Sequence, residues 1–254
     1  MLKVAVIGSG NVAQHLIRAF KNSAHVQLVQ AWARHPEKLG NILPAERITN
    51  DMAKLVGADI YVIAVTDDAI AEVSESLPFE GRLVVHTSGS VTMGQLDCKN
   101  HRGVFYPLQT FSKSRKIDFG KVPLCLECER EADYEVLEQL AGAISPLLYR
   151  IDSKQRQALH VAAVFVSNFT NHLYAVGNNI CDESGISFDI LKPLIQETAA
   201  KVQELAPLQA QTGPAVRHDN TTIEKHLKFL TDDNQKTLYK LLTQSIQRAH
   251  GQKL

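Results

Sequence analysis

The segment Gly8-Ser9-Gly10-Asn11-Val12-Ala13 has the residue types and spacing to cradle a pyrophosphate. Its first glycine permits a tight turn. Its second leaves room for a phosphate, and the small Ala13 lets a helix lie close to a sheet. A helix starting here offers unpaired N–H groups and its positive dipole end to an anion. The flanks agree: a β-rich run over residues 4–7 precedes the turn, and Val12, Leu16, Ala19 and Phe20 follow at helical spacing. The next strand-like run ends Gln30-Ala31-Trp32-Ala33-Arg34-His35, with no acid at its tip. An Asp or Glu there would hold ribose hydroxyls. Arg34 instead presents a planar fork that suits a 2′-phosphate, and His35 and Lys38 add positive charge. The expected cofactor is therefore NADP.

Two further strand ends carry polar groups. Val65 and Thr66 close the apolar run 59–65 and should border the same ligand, because ligands of open α/β sheets sit at carboxyl ends of strands. Asp67 and Asp68 follow, with helix capping as their commoner use. His86-Thr87-Ser88-Gly89 ends the next strand, which places His86 beside the cofactor and Ser88 near the chemistry. Of the four cysteines, Cys125 and Cys128 have C-x-x-C spacing. They lie in a strand-like run, where residues three apart face opposite ways, so no metal or redox site is expected.

These residues need a scaffold, and the chain alternates strand and helix signals to supply one. Strands are expected at 3–7, 26–33, 47–48, 59–65, 83–86 and 103–106, with helices at 12–20 and 67–77. Two late strands, 122–127 and 147–150, flank a helix at 131–144. The pattern predicts an α/β fold, a mostly parallel sheet covered on both faces. After residue 152 no β-rich run recurs, so domains are expected at 1–152 and 153–254. The second should hold helices at 153–182, 188–205 (restarting near Pro193), one begun by Thr221-Thr222-Ile223-Glu224 as a capping box, and 232–250, with 207–214 a loop. Equal counts of basic and acidic residues, 27 each, argue against nucleic acid and against an acidic tail. No signal-peptide pattern and no apolar run of membrane length is seen, so a cytoplasmic protein is expected.

Several segments together resemble one family. Gly8–Ala13, Ala64-Val65-Thr66-Asp67-Asp68-Ala69-Ile70, His86–Ser90 and Pro107-Leu108-Gln109-Thr110-Phe111 resemble Rossmann-like proteins whose C-terminal half is a domain of unknown function numbered 2520. The stretches 160–168 and 213–219 resemble signatures of that second domain. The family is in turn similar to pyrroline-5-carboxylate reductases, ketopantoate reductases and the 6-phosphogluconate dehydrogenase group. The resemblance implies NADP binding, an all-α C-terminal domain of the 6-phosphogluconate dehydrogenase type, and a homodimer built through it.

This chain departs from its related dehydrogenases in ways that matter. They carry a lysine early in the first long helix of the second domain; in this chain that helix has no lysine after Lys154. His160 can occupy that position, with Asn168 eight residues on, while Val164 replaces an intermediate asparagine and Tyr106 stands where the related pattern has histidine. Histidine titrates near neutral pH, so His160 is the candidate acid for hydride transfer to a carbonyl or imine. Ser167, Asn171, Arg217 and Asp219 are candidate substrate contacts, Arg217 as a carboxylate clamp and Asp219 equally as a helix cap. The expected activity is NADP(H)-dependent reduction of a small carbonyl or imine at the cleft between domains. The alternatives are a ketopantoate-type 2-oxoacid reductase and, given the absent lysine, a non-catalytic NADP-binding sensor or scaffold.

Overall fold

A computed structural model describes residues 1–251. By internal contacts the chain forms two compact units, Met1–Asn168 and Phe169–Leu254. No helix among the described residues is long and apolar enough to cross a membrane.

The first unit is built on an eight-stranded sheet. Its strands are β1 (Leu2–Ile7), β2 (Val26–Trp32), β3 (Ile48–Thr49), β4 (Ile60–Ile63), β5 (Leu83–His86), β6 (His101–Pro107), β7 (Leu124–Cys128) and β8 (Leu148–Arg150). Helices α1 (Asn11–Asn22), α2 (Ile70–Glu75), α3 (Glu131–Gly142) and α4 (Ser153–Ala163) complete it. The order across the sheet is β3-β2-β1-β4-β5-β6-β7-β8. All neighbours run parallel except β6 and β7. From β1 the chain builds outward to β3, then returns to β1's other side with β4. The reversal opens a crevice at the carboxyl ends of β1 and β4.

β1 reads as a continuous apolar run because both its faces are covered. Val4 and Val6 pack with Leu16 and Phe20 of α1 and Leu137 of α3. Ala5 and Ile7 pack with Ile70 and Val73 of α2 on the other face. The same alternation separates the two cysteines of β7. Cys125 lies with Val104 and Tyr106, whereas Cys128 packs against the α1–α3 side. Burial pushes their thiols up to about 11 and about 12, which keeps both protonated at neutral pH.

The helix α4 belongs with the sheet. Asp152 caps it in a reciprocal box with Gln155, and its Leu159 packs against Val104, Tyr106 and Cys125. One turn in, Arg156 is fully buried and ion-paired to Glu127 of β7. It also donates to the Val91 carbonyl at 2.6 Å. The domain break expected at 152 therefore precedes a helix that the contacts assign to the first unit.

The expected uninterrupted helix 153–182 is corrected by a π-helical stretch, Val164–Phe169, between α4 and α5 (Thr170–Glu183). Periodicity could not reveal it, since π and α turns are made from the same residues. In the second unit α5 stops where Gly185 adopts φ 67°, with Ile186 N–H donating to Cys181 O and Gly185 N–H to Asp182 O. That is a Schellman stop. α6 (Lys192–Glu204) restarts with Pro193 in its first turn after a 3₁₀ turn, Phe188–Leu191. The expected loop at 207–214 opens instead with a helical turn, α7 (Pro207–Ala210), that starts on a proline. α8 (Asn220–Phe229) begins one residue before the expected capping box. Asp219 is its cap, accepting from Thr222 N–H at 3.0 Å and Thr222 Oγ1 at 2.7 Å. α9 (Asp233–Gly251) ends the described chain.

Candidate active site

The turn between β1 and α1 is locked by geometry. Gly8 has φ 135°, and a Cβ there would lie 2.2 Å from the Ala64 carbonyl oxygen. The strands cannot part to admit one, because Gly8 N–H donates to Trp32 O and Ala64 N–H to Ile7 O, each at 2.8 Å. A Cβ on Gly10 would meet nothing within 4 Å. Gly10 therefore opens onto space rather than onto protein. It is also the N-cap of α1 and offers no capping side chain, so the first N–H groups of the helix remain available to an anion.

That space is a cavity of about 580 Å³ at the carboxyl ends of β1, β2 and β4. Nine of the expected cofactor residues line it: Gly8, Ser9, Gly10, Asn11, Val12, Arg34, His35, Val65 and Thr66. Arg34 is exposed at its rim, with no ion pair among the described residues, and His35 lies 3.4 Å from Glu37. Lys38 does not line the cavity, because the 3₁₀ turn Pro36–Leu39 carries it onward.

His86 is placed differently from the sequence expectation. Its ring is fully buried and its Nδ1 accepts the Ser88 N–H at 3.1 Å. Burial, then the Arg156 charge, lower its pKa to about 4, so the ring is neutral and organises the loop from within. Ser88 is likewise turned inward. Its Oγ accepts from Ser90 N–H and Val91 N–H at 3.1 and 3.0 Å, and Ser90 Oγ donates to Asp67 at 2.5 Å. Asp67 thus ties two loops together rather than capping a helix.

Sequence reading missed six lining residues, Trp32, Ala64, Ala69, Val73, Gln109 and Phe111. Trp32 ends β2 and faces the cavity beside Arg34. Gln109 and Phe111 follow β6, and the strand-end rule that found Thr66 applies to them as well. Asn11 Nδ2 donates to the Phe111 carbonyl at 2.9 Å, and His15 Nε2 donates to the Ser112 carbonyl at 3.1 Å. The fingerprint asparagine thus holds the loop that completes the cavity wall.

His160 is half-buried on α4, with its Nδ1 3.1 Å from Tyr106 Oη. Gly89 sits against this pair: a Cβ there would lie 2.5 Å from His160 Nδ1 and 2.8 Å from Tyr106 Cζ. The loop 88–93 is sewn to α4 by Gln157 donating to Ser90 O and by Met93 N–H donating to Ser153 Oγ. Ser167 and Asn168 fall in the π-helical stretch, a rare geometry that is frequent at functional sites. Asn171 and Arg217 are exposed in the second unit, and Asp219 is committed to capping α8. Among the described residues no cluster of three or more His, Cys, Asp or Glu could hold a metal.

A reversing parallel sheet with a glycine-rich turn at the reversal places the first unit in the class of Rossmann-type folds. Residues 3–89 match the family described as NADP oxidoreductase, coenzyme F420-dependent. Residues 122–246 match the domain of unknown function DUF2520. The protein BF3122 of Bacteroides fragilis, provisionally designated an NADP oxidoreductase, is 39% identical over 97% of this chain and 98% of its own, with a TM-score of 0.87. TM1727 of Thermotoga maritima is 17% identical over 98% and 99%, with a TM-score of 0.79. An imine reductase of Myxococcus stipitatus in complex with NADP+ is 16% identical over 97% and 92%, with a TM-score of 0.63. The last two show the shared fold. No curated protein matches the sequence. The chain belongs to the family of NADP oxidoreductases in which a Rossmann half precedes the domain of unknown function 2520.

Proposed function

We propose that the protein is an NADPH-dependent reductase of a small carbonyl or imine, with His160 as proton donor. The cavity beneath Gly8–Val12 carries this reading: it joins a glycine-lined anion cradle to an exposed arginine at the strand end where an NAD site has an acid. NADPH bound there supplies the hydride. His160 holds the proton. As the substrate carbon takes up the hydride, the C=O or C=N π pair forms the new O–H or N–H bond with that proton. Arg217 and Asn171 remain candidate contacts for a substrate carboxylate or other polar group.

The test of the cofactor uses the protein's single tryptophan, Trp32, which lines the cavity. Its emission should change on titration with NADPH, more weakly with NADH. Arg34→Ala should weaken NADPH binding about 10–100-fold, the worth of a charge-assisted phosphate contact, and leave NADH nearly unaffected. Equal loss for both nucleotides would remove Arg34 from 2′-phosphate recognition.

We also propose that the second unit joins a second copy of the chain. Among its described residues only Ala215 and Gln235 are buried. Ile190, Leu194, Phe229 and Leu241 are each 58–69% exposed. A unit with so little core needs apolar cover. Light scattering at micromolar concentration should give twice the chain mass, and Leu194→Glu with Leu241→Glu should shift it toward monomer. A wild-type monomer would refute the proposal.

A further inference from the structure

We propose that Tyr106 is a positioning residue that keeps a proton on Nδ1 of His160, so that Nε2 is the atom that loads and delivers the catalytic proton. The inference rests on the reading of His160 as acid. Tyr106 Oη lies 3.1 Å from His160 Nδ1, and no other hydrogen bond to either group is found among the described residues. Two neutral arrangements fit that distance. In one the phenol donates to a bare Nδ1, and the ring proton sits on Nε2. In the other Nδ1–H donates to the phenol oxygen, and Nε2 is bare.

Only the second serves an acid that works through Nε2. The imidazolium has protons on both nitrogens. After Nε2 gives its proton away, Nδ1–H must stay in place, and it needs a neutral acceptor in both states. Tyr106 can be that acceptor throughout, since burial, with Cys125 adding to it, pushes its ionisation above the usual tyrosine range. Its oxygen is then a phenol with lone pairs, not a phenolate that would trap the imidazolium.

The packing behind the pair fixes which ring edge is used. Gly89 lies against the Nδ1–Cγ edge so closely that no side chain could stand there. Leu159, next to His160 on α4, is held against Tyr106 with Val104 and Cys125. Nδ1 therefore faces protein, and Nε2 lies on the ring's opposite edge. The glycine of His86-Thr87-Ser88-Gly89 has its role here: it makes room for the hydrogen-bonded pair.

The experiment reads the ring nitrogens of His160 by ¹⁵N NMR across pH, with His160→Ala to assign its signals among the ten histidines. Neutral wild-type His160 should carry its proton on Nδ1. In Tyr106→Phe the neutral ring should shift toward the Nε2–H form that free imidazole side chains favour. Gly89→Ala, which drives a methyl into the pair, should move it the same way, with NADPH affinity unchanged in both variants. A wild-type ring protonated on Nε2, or one that Tyr106→Phe leaves unaltered, would overturn the proposal whatever the activity. Full turnover by His160→Ala, alongside a wild-type ring found to carry its proton on Nδ1, would instead sink the acid reading, and the purpose of the pair with it.

Discussion

Gly8→Ala is expected to unfold the sheet unit at markedly lower temperature and to abolish nucleotide binding. The added Cβ would meet the carbonyl oxygen and carbon of Ala64 at 2.2 and 2.8 Å, both backbone atoms at the end of β4. A φ of 135° adds strain for any L side chain. Left-handed backbone strain costs roughly 1–2 kcal/mol and overpacking roughly 1–3 kcal/mol. Together they reach about 2–5 kcal/mol, or on the order of 10 °C in Tm for a unit of this size. Gly10→Ala provides the contrast. Its Cβ meets no protein atom within 4 Å, so stability should hold while the methyl intrudes on ligand space. Thermal unfolding and Trp32 titration of both variants check the pair. An unchanged Tm for Gly8→Ala would show that the turn tolerates what the geometry forbids.

The second large effect is expected at Glu127→Ala. Arg156 is wholly buried, and Glu127 is its only carboxylate partner among the described residues. Ser153 Oγ donates to the same carboxylate, at 2.9 and 3.0 Å from its two oxygens. Removing the acid strands a buried guanidinium, at a cost of about 3–5 kcal/mol. Replacing both partners by Leu should cost much less, because no uncompensated charge remains. Denaturant unfolding followed by Trp32, which belongs to the same unit, measures this directly. A loss below about 1 kcal/mol for Glu127→Ala would mean that water or a rearranged acid reaches Arg156.

Much of the fold was legible because its signals are local. β1, β4 and the turn between β1 and α1 announce themselves within a dozen residues, and nine of the cavity's residues follow from that turn and the strand ends. What stayed hidden depends on tertiary approach or side-chain rotation. Phe111 reaches the fingerprint across 100 positions through its hydrogen bond with Asn11. The strand-end rule located His86 but not the direction of its ring, which turns into the protein to take the Ser88 N–H. Tyr106 and His160 are 54 residues apart, and nothing local pairs them. The π-helical stretch was invisible because composition does not distinguish a wide turn from an ordinary one. At Asp219 the sequence supported a cap and a ligand contact equally, and the structure uses its carboxylate for the cap.

The anchoring of α4 bears on how such proteins can be recombined. A graft that exchanges helical halves between relatives at residue 152 would carry Arg156 away from Glu127, and His160 away from Tyr106 and Gly89. The same exchange made after Asn168 keeps each of those pairs in one parent. The natural seam for a modular swap thus runs through the π-helical stretch.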